Sequence, residues 1–281
     1  MWSDMGKAKP SLTKKEEKFI ATVWQYYNEQ GRHDLPWRHT TDPYKILVSE
    51  IMLQQTQVPR VLPKYQEFLK AFANTKRLAK ASLGDVLKVW QGLGYNRRAK
   101  FLKQAAEVVV HEYNGKWPKT FAELLKLPGV GSYTAGAVVN FAYNEALPLI
   151  ETNVRTVYLH HFFPGKQGVS DSDLLPIIGR TLGRDRPREW HWALMDYGSH
   201  LKVSLGNQNH RSATYKKQSP FKSSNRYIRG AILRELAKQS LSKQKLSSLL
   251  SDTDQARIEQ QLTSLLKEEM IRLSGKKYLL P

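Results

Sequence analysis

The chain has 281 residues, room for one or two domains, and its 41% hydrophobic content is ordinary for a globular protein. It has no cysteine, which excludes disulfides, thiolate zinc sites, iron–sulfur clusters and a cysteine nucleophile together. Lysine and arginine outnumber aspartate and glutamate by 44 to 25, and the resulting +19 points to a polyanionic partner, nucleic acid first and an anionic membrane surface second, against the plain alternative of a soluble basic protein.

The N-terminal stretch MWSDMGKAKPSLTKKEEK lacks the apolar run of a signal peptide, and no window approaches the ~20 apolar residues of a membrane span. A cytoplasmic, nucleoid-associated protein is the expectation, with 1–12 as a flexible terminus. Thr13 and Glu16 have capping-box spacing, and Phe19, Ile20, Val23, Trp24 and Tyr27 then line one helical face. After the loop GRHDLPWRHTTDPY comes a second helix, KILVSEIMLQQTQ. Further helices are expected at 59–72, 82–91, 97–114 and 119–125. A glycine hairpin at 127–131 opens a helix to about Tyr143, and more helices follow at 152–163, 171–182 and 188–202. No run of alternating strands precedes residue 200, so the fold class is mainly α.

Residues 204–224, SLGNQNHRSATYKKQSPFKSS, are polar and carry lysine and arginine but no acid, which reads as a basic linker. Beyond it the pattern restarts over 225–281. Three amphipathic helices precede MIRLSGKKYLLP, two short strands around a turn at Ser274-Gly275. That order is winged-helix-like, a module that binds DNA or protein.

Four stretches carry candidate chemistry. In LPGVG, Gly129 and Gly131 permit unusual dihedrals and close backbone approach, and the N–H groups that open the next helix attract an anion such as a DNA phosphate. An ordinary αα-turn is the competing reading. Glu50 lies in VSEIMLQQTQ; a carboxyl held among Ile, Met and Leu favours its protonated form and suits a general acid, whereas a solvent-facing helix carboxylate would do nothing. Gln54, Gln55, Thr56 and Gln57 follow, either filling a gap in a base stack or forming a solvated helix end. Glu151 ends the apolar run NEALPLI; it is either an N-cap for TNVRTVYLHHFF or the second carboxylate of glycosidic chemistry, in which one acid protonates the leaving group and the other stabilises an oxocarbenium-like sugar. GLGYNRRAKFL places Tyr95 beside Arg97, Arg98 and Lys100, suited to wedging against bases or to packing in a core.

Taken together, LPWR, DPYKILVSEIMLQQTQV, GLGYNRRA, LPGVGSYTAGAV and ALMDYG, in register over about residues 15–203, resemble the helix–hairpin–helix (HhH-GPD) DNA glycosylases, the MutY-type adenine glycosylases above all. The resemblance implies a two-lobed glycosylase domain over 13–203, with a cleft between the lobes that takes a base flipped from duplex DNA. It implies Glu50 as general acid, Glu151 in the place of the family's catalytic aspartate, and Asn153 as the nearby asparagine. Gln55 and Tyr95 match residues that intrude beside the lesion pair, flanked by Gln54 and Thr56. Leu127, Gly129, Gly131, Ser132 and Tyr133 match the phosphate-binding hairpin, whose backbone in such proteins also holds a monovalent cation. Arg38, Arg97 and Arg155 complete the expected DNA contacts. The implied partner is double-stranded DNA with a mismatched or damaged base, bound by a monomer without cofactor.

The chain departs from the pattern at several points. ETN stands where the family has DGN, and one extra methylene moves the carboxylate by about a bond length. The basic linker replaces the four-cysteine iron–sulfur motif, the tail is not Nudix-like, and Asn96 replaces a second tyrosine. Tyr133 stands where bifunctional relatives carry a Schiff-base lysine, which makes water the expected nucleophile. Three functions follow: excision of adenine opposite guanine or 8-oxoguanine, excision of thymine or uracil opposite guanine, and non-catalytic DNA binding on the same fold.

Overall fold

A computed structural model describes residues 11–218, 220–222 and 224–281. Most of the terminus expected to be flexible, 1–12, lies outside them. Among the described residues the chain forms two compact units, Met1–His39 with Gly136–Lys217, and Thr40–Ala135 with Gln218–Pro281.

The first unit is built on α1 (Lys14–Gln30), α9 (Thr152–Phe162), α10 (Asp171–Thr181) and α11 (Pro187–Leu205). The expected capping box starts α1: Glu16 N donates to Thr13 Oγ1 (3.2 Å) and Thr13 N to Glu16 Oε2 (2.9 Å). Its apolar face buries Phe19 against Tyr158, Phe162 and Trp190, at 5.0 to 6.0 Å between ring centroids.

The second unit comprises α2 (Pro43–Leu53), α3 (Val58–Ala71), α4 (Thr75–Lys80), α5 (Leu83–Val89), α6 (Arg97–Glu112) and α7 (Phe121–Leu124), with α12 (Asn225–Lys238), α13 (Lys243–Leu249) and α14 (Gln255–Lys267). Helix α8 (Ser132–Tyr143) begins here. The short strands β1 (Leu241–Ser242), β2 (Arg272–Ser274) and β3 (Lys277–Leu279) form an antiparallel sheet in the order β1-β3-β2, with Leu241 opposite Tyr278 and Arg272 opposite Leu279. Gly275 turns the β2–β3 hairpin at φ +57°, where a side chain is disfavoured. The hairpin falls where the sequence placed it; β1, two residues long, was not foreseen.

Two expectations about the tail need correction. Residues 204–224 are not a linker throughout: Gln208–Arg211 forms a 3-10 turn, and Asn209, Arg211 and Ser212 are buried in the first unit. Arg211 Nη1 donates to Phe163 O (2.7 Å), and Val169 N to Arg211 O (3.0 Å). Nor does 225–281 stand apart, because it belongs to one unit with 40–135. Gly84 N, on α5, donates to the C-terminal Pro281 O at 3.0 Å, and a Cβ on Gly84 would lie 2.6 Å from that oxygen. Lys100 and Arg97 of α6 reach Glu269 and Glu268 at 2.9 and 3.0 Å.

Candidate functional site

Helix α2 is apolar on nearly every face, so it sits inside the second unit and carries Glu50 in with it. Asp42 caps the helix, accepting from Tyr44 N (2.9 Å), and Glu50 is 7% exposed. The solvent-facing alternative for Glu50 therefore falls. At the end of α2 the chain turns sharply, with Gln55 exposed at φ +56°. A second loop, Gly92 to Tyr95, runs through positive φ at Gly92, Gly94 and Tyr95 (+93°, +70° and +45°). Positive φ costs a non-glycine residue energy unless its surroundings hold it there, and the two residues expected to intrude beside a lesion are both so held.

Arg98 holds them. Its Nη1 donates to Ile51 O (2.7 Å) and Met52 O (3.0 Å) and also reaches Gln54 O. Its Nη2 donates to Leu93 O (3.0 Å), Gly94 O (3.1 Å) and Thr56 Oγ1 (3.2 Å). One guanidinium thus satisfies the open carbonyls at the end of α2 and ties that loop to the Tyr95 loop. Burial pushes its pKa down to about 10, which leaves it cationic at neutral pH. Gln54 Nε2 extends the tie to Thr134 Oγ1, 3.2 Å away in the first turn of α8.

The α7–α8 hairpin closes through Val130 N to Leu127 O (3.1 Å). Gly129 has φ +73°, and a Cβ there would lie 2.4 Å from Phe101 Cβ, so conformation and space both demand glycine. At Gly131 a Cβ would meet nothing within 4 Å, and Gly131 and Ser132 are exposed, which leaves the mouth of α8 open to a phosphate. Tyr133 is partly exposed in the first turn. Leu127, expected among the DNA contacts, is only 2% exposed and serves as a core anchor beneath the hairpin.

In the first unit Glu151 is the N-cap of α9. Its Oε1 accepts from Asn153 N (2.7 Å) and Val154 N (2.8 Å). Burial pushes its pKa up, against the lowering effect of these two N–H bonds and of Lys202 and Arg155. The cap and a chemical role are therefore compatible: one oxygen is fixed by the helix, and among the described residues no hydrogen bond falls on the other.

Two neighbours fix this turn, and neither was recognised from sequence. Gly198, of ALMDYG, lets α11 lie against α9: a Cβ there would come within 2.2 Å of Asn153 O and 2.8 Å of its Cα. Asn209, 4% exposed, donates from Nδ2 to Thr152 O (3.0 Å) and Thr156 Oγ1 (2.8 Å), bracing the same turn. The four-thiolate cluster that the resemblance carries cannot be built here, since there is no cysteine.

Two expected DNA contacts are engaged inside the protein. Arg38 is buried, and its Nη1 and Nη2 donate to Asp196 Oδ2 and Oδ1 at 2.7 and 2.9 Å. Arg32 adds its backbone N–H and its Nε to the same carboxylate, at 2.8 and 2.7 Å. Burial alone would raise the Asp196 pKa, but the arginine bonds and charges outweigh it and hold the carboxyl below its usual value. Arg155 makes a bidentate pair with Asp171, both bonds 2.9 Å. Arg97 keeps an exposed side chain while pairing with Glu268.

A family model described as "HhH-GPD superfamily base excision DNA repair protein" matches residues 48–173, from α2 through the hairpin and α9. A thymine/uracil-DNA glycosylase of Methanothermobacter thermautotrophicus is 30% identical over 193 residues, 67% of this chain and 86% of that protein. This chain belongs to the HhH-GPD superfamily. Among other relatives, an adenine DNA glycosylase of Buchnera aphidicola is 34% identical over 185 residues, 64% of this chain and 52% of that protein. The chain spans about half the length of the first such adenine glycosylases it matches. The solved structure of a thermostable thymine-DNA glycosylase superposes with a TM-score of 0.59 at 30% identity, covering 66% of this chain and 87% of that one. Among the described residues no helix is long and apolar enough to cross a membrane.

Proposed function

We propose that the protein is a monofunctional DNA glycosylase of base excision repair, acting as a monomer on double-stranded DNA and releasing adenine mispaired with guanine or 8-oxoguanine. The observation that carries this reading is Glu50, a carboxyl buried on an apolar helix that runs directly into the strained Gln55 loop. In this reading Glu50 gives a proton to the adenine ring as its bond to C1′ breaks. Glu151, as carboxylate, stabilises the positive charge that develops on the sugar. Water adds at C1′, and the proton it loses replaces the one Glu50 gave up, leaving free adenine and an abasic site. Gln55 and Tyr95 occupy the space the flipped nucleotide vacates, and the hairpin at Gly129–Gly131 holds the backbone phosphates. No cluster is needed; Asn209 and Arg211 brace the segment where relatives of this pattern carry one.

A second reading, release of thymine or uracil opposite guanine, is favoured by the relative and the solved structure named for that activity. The test incubates the protein with duplexes carrying A:G, A:8-oxoguanine, T:G and U:G pairs and then cleaves abasic sites with alkali. Adenine release that Glu50→Gln abolishes while DNA binding persists supports the first reading. Release from T:G or U:G alone replaces it with the second.

A further inference from the structure

The C-terminal module reaches the Tyr95 loop. Arg226, in the first turn of α12, donates from Nη1 to the Tyr95 hydroxyl at 2.5 Å, and its guanidinium lies 5.6 Å from the ring centroid. Gln218 Nε2 donates to the same hydroxyl. The module is held in this place, because Pro281 O is bonded to Gly84 N and Glu268 and Glu269 pair with Arg97 and Lys100 on α6, the helix that starts just after Tyr95. The first turn of α12 also exposes Tyr227, packed edge-on against an exposed Phe221 at 5.7 Å. Two acids of the module, Glu268 and Glu269, thus face α6, while a guanidinium and an amide reach Tyr95.

We propose that Arg226 is a specificity-determining residue, the arm by which the C-terminal module selects guanine as the base left without a partner. The inference rests on Tyr95 standing beside the lesion pair, as in the proposed function. Excision from A:G, T:G or U:G pairs leaves guanine in the helix, whereas 8-oxoguanine carries a hydrogen on N7 and falls outside this selection. The edge of guanine presents two acceptors, O6 and N7, matched in spacing to the two N–H arms of a guanidinium. Adenine and cytosine present an amino group there and reject it. Tyr95 seats the guanidinium in the DNA-free protein through its hydroxyl, and guanine takes the place of that acceptor when DNA is bound. Gln218 is the second donor at the same point.

The test measures affinity of the full chain for duplexes with a tetrahydrofuran abasic analogue opposite G, C, A or T, together with melting temperature. The wild type is expected to prefer G over C by about fivefold to a hundredfold, the discrimination of one bidentate pair. Arg226→Ala should bring that ratio close to one. Arg226→Lys keeps the charge and loses the fork, so it should retain general affinity and lose the preference. Tyr95→Phe removes the seat and should weaken the preference in part. A wild type with no preference for G overturns the proposal. So does Arg226→Ala weakening all duplexes equally, which is a phosphate contact, and so does Arg226→Lys retaining the full preference even where the alanine variant unfolds. The duplexes contain no base to excise, so loss of glycosylase activity with an intact G preference defeats the proposed function and leaves this inference standing.

Discussion

Arg98 in one unit and Glu151 in the other are both charged groups set at a helix end, and they are treated in opposite ways. The Arg98 side chain sits at the C-terminus of α2, where the helix carbonyls and dipole favour a cation, and its guanidinium reaches seven acceptors. Glu151 sits at the N-terminus of α9, where the dipole favours an anion, yet its two hydrogen bonds fall on a single oxygen. A saturated charge has no capacity left for a ligand and works as a structural tie. A charge with an open oxygen and a pKa pushed up by burial is held ready to interact with something else. The contrast separates scaffold from chemistry by counting partners, and substitutions on each side can break it.

The largest effect is expected at Arg98. Arg98→Met keeps the apolar stem and removes every donor, leaving buried carbonyls of Ile51, Met52 and Leu93 without this partner. Each unsatisfied buried group costs about 1–3 kcal/mol, so the loss should reach roughly 3–4 kcal/mol by denaturant unfolding. Arg98→Lys should recover a minor part, because one ammonium cannot span both loops. Wild-type stability in Arg98→Met would show that the ties are incidental.

Gly198→Ala comes next. The added methyl would meet backbone atoms of Asn153, which move only if the first turn of α9 moves. Overpacking of this kind costs about 1–3 kcal/mol. Because that turn carries Glu151, base release should fall much further than stability does. A variant with a lowered melting point and an unchanged rate constant would detach Gly198 from the site.

Asn209→Ala should cost less, about 1–2 kcal/mol, by removing the bonds to Thr152 O and Thr156 Oγ1. It leaves Gly198 in place, so the turn loosens without being displaced. The expected signature is faster amide exchange confined to the start of α9 with a modest loss of rate. Protection unchanged throughout α9 would argue that the 207–213 segment merely covers the unit.

How far these features were legible beforehand depended on how local they are. Helix periods, the Thr13 capping box and the hairpin glycines are set by residues a few positions apart, and the structure places them as read. Arg98 was readable in principle: it falls on the buried stripe of α6 with Leu102, Ala105, Ala106 and Val109, which marks it as inward-facing, whereas Arg97 next to it is exposed. Arg38 and Arg155 misled because a motif arginine in a basic protein suggests phosphate, while their partners, Asp196 and Asp171, are determined by tertiary packing. Asn209 and Arg226 act across long stretches of chain. No periodicity or short motif signals such contacts, and the polar composition of 204–224 pointed away from burial.

The smallest effect on stability, and the sharpest on chemistry, is expected at Glu151. Glu151→Gln preserves length, and its amide oxygen can still accept from Asn153 N and Val154 N. The carboxyl pKa is raised in the fold, so the ionised form disfavours the native state, and that penalty sets in as pH rises from the ordinary 4.5 through the folded value. Glutamine carries no such penalty, although it forgoes the favourable dipole of α9, typically about 0.3–1 kcal/mol. At pH 7 the variant should therefore match or exceed wild-type stability, and the difference should shift towards the wild type at pH 4, where its carboxyl is protonated. Base release should drop by about 10²–10³, the usual cost of losing a preorganised electrostatic partner. The wild-type rate should fall on acidification through a pKa above 4.5, because only the carboxylate stabilises the sugar cation, and Glu151→Gln should lack that limb. A glutamine variant that is less stable at pH 7 and still releases base would make Glu151 a helix cap alone, and would place it with Arg98 on the structural side of the comparison.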